Sequence, residues 1–170
     1  MWASWCLASV GALDYVALVE PTLTLAGPAD IDRLLTLMPE YYAFDHLPFD
    51  AAVARAALQQ LLGDASRGRV WLIQLDEEAI GYLVLTFGFS LEFHGRDAFV
   101  DELYIRANYR GRGIGQAMLC GVEALCPELG VHALHLEVER ANTNAQALYR
   151  KLGFIDHDRY LMTRWMQQPR

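Results

Sequence analysis

Arg110-Gly111-Arg112-Gly113-Ile114-Gly115-Gln116 closely follows the run Val100-Asp101-Glu102-Leu103-Tyr104-Ile105. These residue types suit the capture of an anion. Glycines at 111, 113 and 115 remove side chains, so main-chain N–H groups can approach a charged ligand. A helix expected over 116–126 adds unpaired N–H groups and the positive end of its dipole. Arg110 and Arg112 supply guanidinium groups suited to phosphate. The stretch reads as a strand, a bare loop and a helix that together cradle a pyrophosphate. Two common phosphate loops do not match it. GxxxxGK[ST] requires a lysine after its last glycine, and the chain's single lysine is Lys151. GxGxxG belongs to the first strand–helix unit, whereas the spacing here is GxGxG and lies past the midpoint.

A second motif follows the next expected strand. Asn142-Thr143-Asn144-Ala145-Gln146-Ala147-Leu148-Tyr149 precedes Leu152-Gly153-Phe154. Ala145, Leu148, Tyr149 and Leu152 recur at i, i+3, i+4 and i+7, so they share one helical face. Asn142 or Asn144 can cap that helix, and Gly153 can end it. Taken alone, Tyr149 is a core aromatic on an amphipathic helix. Together with Arg110, Gly113 and Gly115 in an [R/Q]xxGx[G/A] pattern, the two motifs resemble the GNAT superfamily of N-acetyltransferases, over about residues 22–166.

The resemblance implies acetyl-coenzyme A as co-substrate. Its diphosphate would rest on the amides of Gly111, Arg112, Gly113, Ile114, Gly115 and Gln116, and its pantetheine arm would pair with Leu103, Tyr104 and Ile105 like an added strand. Asn142, Asn144 and Ala145 would contact the arm or fix the last helix. Tyr149 would protonate the leaving thiolate. An alkylamine acceptor has a pKa near ~10.4 and must lose a proton before it attacks, so a general base is useful. Asp101 and Glu102 are the local candidates; as neighbours on a strand they are expected on opposite faces. In some relatives the pattern is Glu-Asp-hydrophobic and its first carboxylate is the base; that position is Asp101 here, with the two acids in swapped order.

The supporting elements read as β-α-α-β-β-β-α-β-α-β. A strand at 22–25 leads to a helix that carries Ile31, Leu34, Leu35 and Met38 and ends at Pro39. A second helix over 50–62 turns Val53, Ala57, Leu58 and Leu61 inward. Strands at 70–75, 79–90 and 98–105 form an antiparallel meander, with Gly81 and Gly88 marking bulges or bends. The helix after the glycine loop makes strand 133–138 parallel to strand 98–105 by a right-handed crossover, and a strand over 159–166 closes the order. The fold class is mixed α/β. By resemblance it is a GNAT fold: a mostly antiparallel sheet with one splayed parallel pair and helices on both faces. Residues 1–21 read as an N-terminal extension and 22–170 as the acetyltransferase domain. The acceptor is expected between the first two helices and the hairpin near residue 92. Tyr41, Tyr42, Asp45 and Glu92 offer aromatic faces and carboxylates to a cation there.

Composition narrows the reading further. A formal net charge of −7 argues against a nucleic-acid partner and mildly favours a cationic acceptor. The apolar first twenty residues lack a basic leader, and the chain has no apolar run of membrane-spanning length. Neither a signal peptide nor a membrane partner is expected. Cysteines at 6, 120 and 126 form no disulfide framework, which fits a reducing, cytoplasmic compartment. His132 and His135 are expected on opposite faces of a strand, so no metal site is expected. Three functions remain open: N-acetylation of a small primary amine, N-acetylation of a protein or peptide, and an acyl-coenzyme A sensor without chemistry. Similar proteins are often dimers, so a homodimer is open as well.

Overall fold

A computed structural model describes residues 20–166. Most of the extension read at 1–21 therefore lies outside the described residues. The chain groups into two compact units that meet between Glu137 and Val138.

The first unit is built on a five-stranded sheet in the order β1-β2-β3-β4-β5. Its strands are β1 (Thr22–Leu25), β2 (Gly68–Leu75), β3 (Glu78–Ser90), β4 (Gly95–Ile105) and β5 (Ala133–Leu136). β1 to β4 pair antiparallel, and β4 pairs β5 in parallel. Helix α1 (Ile31–Phe44) follows a single 3-10 turn, and α2 (Ala51–Gly63) follows Asp50, whose carboxylate accepts from the N–H groups of Ala52 and Val53. These two helices cover one sheet face. Leu34, Leu37, Met38, Ala54 and Leu58 pack there against Val70, Leu72, Tyr82, Val84 and Tyr104. Helix α3 (Ile114–Leu125) buries Ile114, Met118, Leu119 and Val122, and it connects β4 to the parallel β5.

Two helix readings need correction. Pro39 does not end α1, which continues to Phe44. An interior proline costs about 3 kcal/mol, whereas each large side chain fully buried contributes about 1.5–3 kcal/mol. The turn beyond Pro39 packs Tyr41 and Tyr42 on the core, and that packing offsets the lost hydrogen bond. In α2 the buried stripe is Ala54 and Leu58 with Leu61 beside them, and Val53 is 60% exposed. Alanines at 51, 52, 54, 56 and 57 leave small apolar residues on most of the first two turns, so the spacing fixes the period but not the phase.

The second unit carries α4 (Thr143–Lys151). The strand expected over 159–166 is not formed. Residues 159–166 take no regular structure, and Tyr160, Leu161, Met162, Trp165 and Met166 are mostly exposed. The described part of this unit holds no strand to supply a ladder, and a lone strand has no stability of its own.

Candidate active site

The site begins with an irregularity in β4. Val84 pairs with Glu102 and Leu85 with Val100, so Asp101 is an extra residue opposite β3. Such a bulge flips the alternation of side chains and re-aims them. Asp101 and Glu102 were expected on opposite faces; both address the α1/α2 face. Glu102 reaches Tyr42 and Tyr82, and Asp101 lines a cleft with Thr86, Gly88, Asp97, Phe99 and His135.

The two carboxylates are held differently. Glu102 Oε1 accepts from the Tyr42 hydroxyl at 3.1 Å, and Oε2 accepts from the Tyr82 hydroxyl at 2.7 Å. Burial raises its pKa above the usual carboxylate value, and the two hydroxyls only partly offset this. Burial raises the Tyr41, Tyr42 and Tyr82 pKa values as well, and the nearby carboxylates add to the effect, so these phenols stay protonated as donors. Asp101 is open to solvent on one side, yet desolvation by its surroundings raises its pKa too. A carboxylate with a raised pKa is the stronger base once ionised.

Beyond Val100 the parallel ladder stops. Its last pair is Val100 with Leu136, while β4 runs on through Ile105 without β5 beside it. The strands therefore part at Leu103, Tyr104 and Ile105, leaving main-chain groups that need partners. One is already taken, because Arg110 Nε donates to the Ile105 carbonyl at 2.7 Å. The Arg110 guanidinium lies 4.2 Å from the Phe44 ring and 5.3 Å from the Tyr104 ring. Arg112 donates to the Asn108 carbonyl at 2.9 Å. The two arginines thus brace the turn as well as charging it.

The turn itself fits an anion. Gly111 and Gly113 sit at φ 75° and 78°, where only glycine is unstrained, and a Cβ on either would meet no protein atom within 4 Å. Gly113 caps α3, whose first N–H groups, at Ile114, Gly115 and Gln116, have no acceptor within the helix. Gly115 is different: it lies inside the helix, and a Cβ there would make an ordinary 3.5 Å contact with Ile105.

Of the expected acceptor residues, three come together and one does not. Tyr41 packs edge-on against Tyr42 and Tyr82, and burial together with the nearby Asp45 carboxylate raises its pKa. Glu92 stands in the turn beyond the end of β3 at Ser90, which is itself six residues past Val84, the partner of Glu102. That is roughly 20 Å along the strand. Sequence reasoning missed Tyr82, whose place opposite Tyr104 is set by the β3–β4 register. It also assigned no role to Asp97 and used His135 only to set aside a metal site. The parallel pairing instead brings Asp97 Oδ2 to 3.5 Å from His135 Nε2. Glu40 precedes Tyr41 and Tyr42 on α1. It accepts from the Tyr104 hydroxyl at 3.0 Å and pairs with Arg106, tying α1 to the end of β4.

In the second unit, Asn142 caps α4 by accepting from the Ala145 N–H at 3.1 Å, which settles the choice between Asn142 and Asn144. Gly153 ends the helix at φ 93°. Tyr149 packs edge-on against Phe154, and burial raises its pKa. Among the described residues no cluster of His, Cys, Asp and Glu could hold a metal ion, and no helix is long and apolar enough to cross a membrane.

Residues 31–154 match the acetyltransferase (GNAT) family. A solved integron cassette protein from the mobile metagenome of Cole Harbour Salt Marsh is 36% identical, with a TM-score of 0.77 over 86% of this chain and 91% of that one. Mycothiol acetyltransferase of Paenarthrobacter aurescens (strain TC1) is 28% identical across 95% of this chain and 51% of its own length. Thialysine N-epsilon-acetyltransferase of Bos taurus is 32% identical across 45% of each. The chain thus spans about half the length of these two relatives.

Proposed function

The chain belongs to the GNAT acetyltransferase family, and from that membership we propose that it transfers the acetyl group of acetyl-coenzyme A to a primary amine of a small molecule. The observation that carries this reading is the end of the β4–β5 ladder at Val100 and Leu136, with the Asp101 bulge on one side and the bare Gly111–Gly113 turn on the other. One strand thereby presents a carboxylate, free main-chain groups and an anion cradle in sequence.

In this proposal the diphosphate rests on the turn and on the first amides of α3, and the pantetheine arm lies along Leu103, Tyr104 and Ile105. Asp101 takes the proton from the acceptor ammonium, directly or through one water. It is preferred to Glu102 because both Glu102 oxygens already accept from tyrosines, while Asp101 opens onto the cleft. Glu102, Tyr42 and Tyr82 then hold the wall against which the acceptor sits. The neutral amine attacks the thioester carbonyl carbon, the C–S bond breaks, and the departing thiolate takes the Tyr149 phenolic proton; the proton shed by the new amide nitrogen then returns the Tyr149 phenolate to the phenol through solvent. Burial keeps that phenol protonated beforehand.

The aromatic and acidic character of the α1 end, with Tyr41, Tyr42 and Asp45, supports a cationic acceptor with an apolar body. The names of the two curated relatives, which point to mycothiol and thialysine, support a small molecule. The test is thiol release from acetyl-coenzyme A across a panel of small amines and peptides. Release with small amines is the expected result. Release with peptides alone would turn the reading to protein acetylation, and binding without release would leave a sensor.

A further inference from the structure

Phe44 is the last residue of α1 and is 56% exposed, and the Arg110 guanidinium lies 4.2 Å from its ring centroid. The same guanidinium donates through Nε to the Ile105 carbonyl at 2.7 Å and lies 5.3 Å from the Tyr104 ring. Gly111, at φ 75°, follows Arg110 directly in the chain. One side chain therefore touches the end of α1 and the end of β4 and springs from the root of the glycine turn.

The end of α1 is also the part that carries Tyr41 and Tyr42, with Asp45 just beyond. Pro39 donates no helical hydrogen bond, so this last stretch is tied to the rest of α1 by one bond fewer. Its outer links run to the end of β4 and the segment beyond it. Glu40 accepts from the Tyr104 hydroxyl at 3.0 Å and from Arg106 Nε at 3.1 Å, and Phe44 stacks on Arg110. Arg112, the other arginine of the turn, leads elsewhere. It lies 5.5 Å from the Tyr109 ring, and the Tyr109 hydroxyl donates to Glu78, at the start of β3, at 2.8 Å.

From this geometry we infer that the Arg110–Phe44 stack couples the two ends of the site, so that an anion which orders the glycine turn also orders the tyrosine-bearing end of α1. Arg110 and Phe44 are then positioning residues. An arginine side chain loses rotamer freedom when it is held in a stack. An anion that fixes the turn has already taken part of that freedom, so the Phe44 contact forms more readily, and the coupling is positive without any change of shape. The inference rests on the reading of the turn as the diphosphate cradle. It adds that the acceptor side is firmer once the carrier is bound. By reciprocity, holding the end of α1 tightens the carrier.

Amide hydrogen exchange of the full chain, with and without coenzyme A, tests the coupling and needs no acceptor. An exposed cation–π contact corresponds to a factor of roughly two to five. Coenzyme A is therefore expected to slow exchange over residues 40–47 by about that factor while it protects the turn at 111–117. Phe44→Leu keeps an apolar side chain but removes the π face. It should lose the effect at 40–47 and keep the protection of the turn, and Phe44→Tyr should show both. Tyr109→Phe cuts the link of the same segment to Glu78 and should leave the effect at its wild-type size. By calorimetry, Phe44→Leu should bind coenzyme A more weakly by the same factor, and Phe44→Tyr as the wild type does. A segment 40–47 still slowed in Phe44→Leu, or not slowed in a wild type whose turn is protected, overturns the coupling and leaves the transfer reading standing. A turn that coenzyme A fails to protect in the wild type overturns the transfer reading, and the coupling with it.

Discussion

Glu102 Oε2 accepts a 2.7 Å hydrogen bond from the hydroxyl of Tyr82, a residue with 1% of its surface exposed. The bond joins the middle of β3 to the first residue after the β4 bulge, and it holds an acid where water cannot solvate it well. Desolvation is the larger effect, so the folded-state pKa of Glu102 lies above its unfolded value near ~4.3. Between those two values the folded state binds more protons than the unfolded state. Stability from this group is therefore lost as pH rises through that window and regained on acidification. Melting temperatures of the wild type and Glu102→Gln across pH 4.5–7.5 should show this. The wild type should gain on the variant as pH falls. A parallel pair of curves would remove the buried charge from the stability of the site.

Tyr82→Phe removes the shorter of the two bonds and leaves Tyr42 as the one hydrogen-bond donor to Glu102 among the described residues. A hydrogen bond to a charged group contributes about 1.5–3 kcal/mol, so denaturant unfolding near neutral pH should report a loss of that order. The loss should shrink in Tyr82→Phe/Glu102→Gln, because the two groups are in contact and their effects do not add.

Asp101 sets the acid limb of activity in the proposed mechanism. Its pKa is raised by desolvation, so the carboxylate is protonated at a higher pH than an ordinary aspartate, and kcat/KM should fall as pH drops through that raised value. Asp101→Asn should lower kcat about 10²-fold or more and abolish the limb. Glu102→Gln should keep the limb. If the limb follows Glu102 instead, the roles of the two acids are exchanged.

The glycine turn was legible because Gly111 and Gly113 are demanded by backbone conformation, and that demand is written in residue type. The sheet order from β2 to β5 was legible from alternation, turn residues and the helical crossover, whereas the closing strand expected over 159–166 did not form. The bulge was not. A strand of eleven residues with two adjacent acids carries no local mark of which residue is extra, and the mark lies in the β3 register. The Asp97–His135 contact was hidden for a related reason. Its two residues stand on strands joined by the α3 crossover, and parallel register is set by how far the helix carries the chain. Pro39 misled in the other direction, since a helix breaker was outvoted by the packing of Tyr41 and Tyr42.

The turn separates folding from binding. Gly113 sits at φ 78° with open space around it, so Gly113→Val costs backbone strain of roughly 1–2 kcal/mol but makes no clash within the protein. Its side chain would stand where the diphosphate is proposed to lie. A protein that melts a few degrees lower yet loses coenzyme A binding by calorimetry is expected. Gly115→Ala, with its ordinary 3.5 Å contact, should keep both properties near wild type. Unchanged affinity in Gly113→Val would move the diphosphate elsewhere.

Tyr149 tests the last step. Its ring packs against Phe154 and its pKa is raised by burial, so the group carries its proton throughout the neutral range. Tyr149→Phe keeps the ring contact and removes only the hydroxyl, so the fold of α4 should survive. If the phenol protonates the thiolate, kcat should fall by roughly 10²-fold while acetyl-coenzyme A affinity is kept. Raising pH should not rescue the variant, because no ionisation at position 149 remains to be altered. Using a thioester whose thiol is a better leaving group should narrow the gap between the two proteins, since a stabilised thiolate needs no proton to depart. A constant gap across thiols of different pKa would assign the loss to altered packing of α4 rather than to proton transfer.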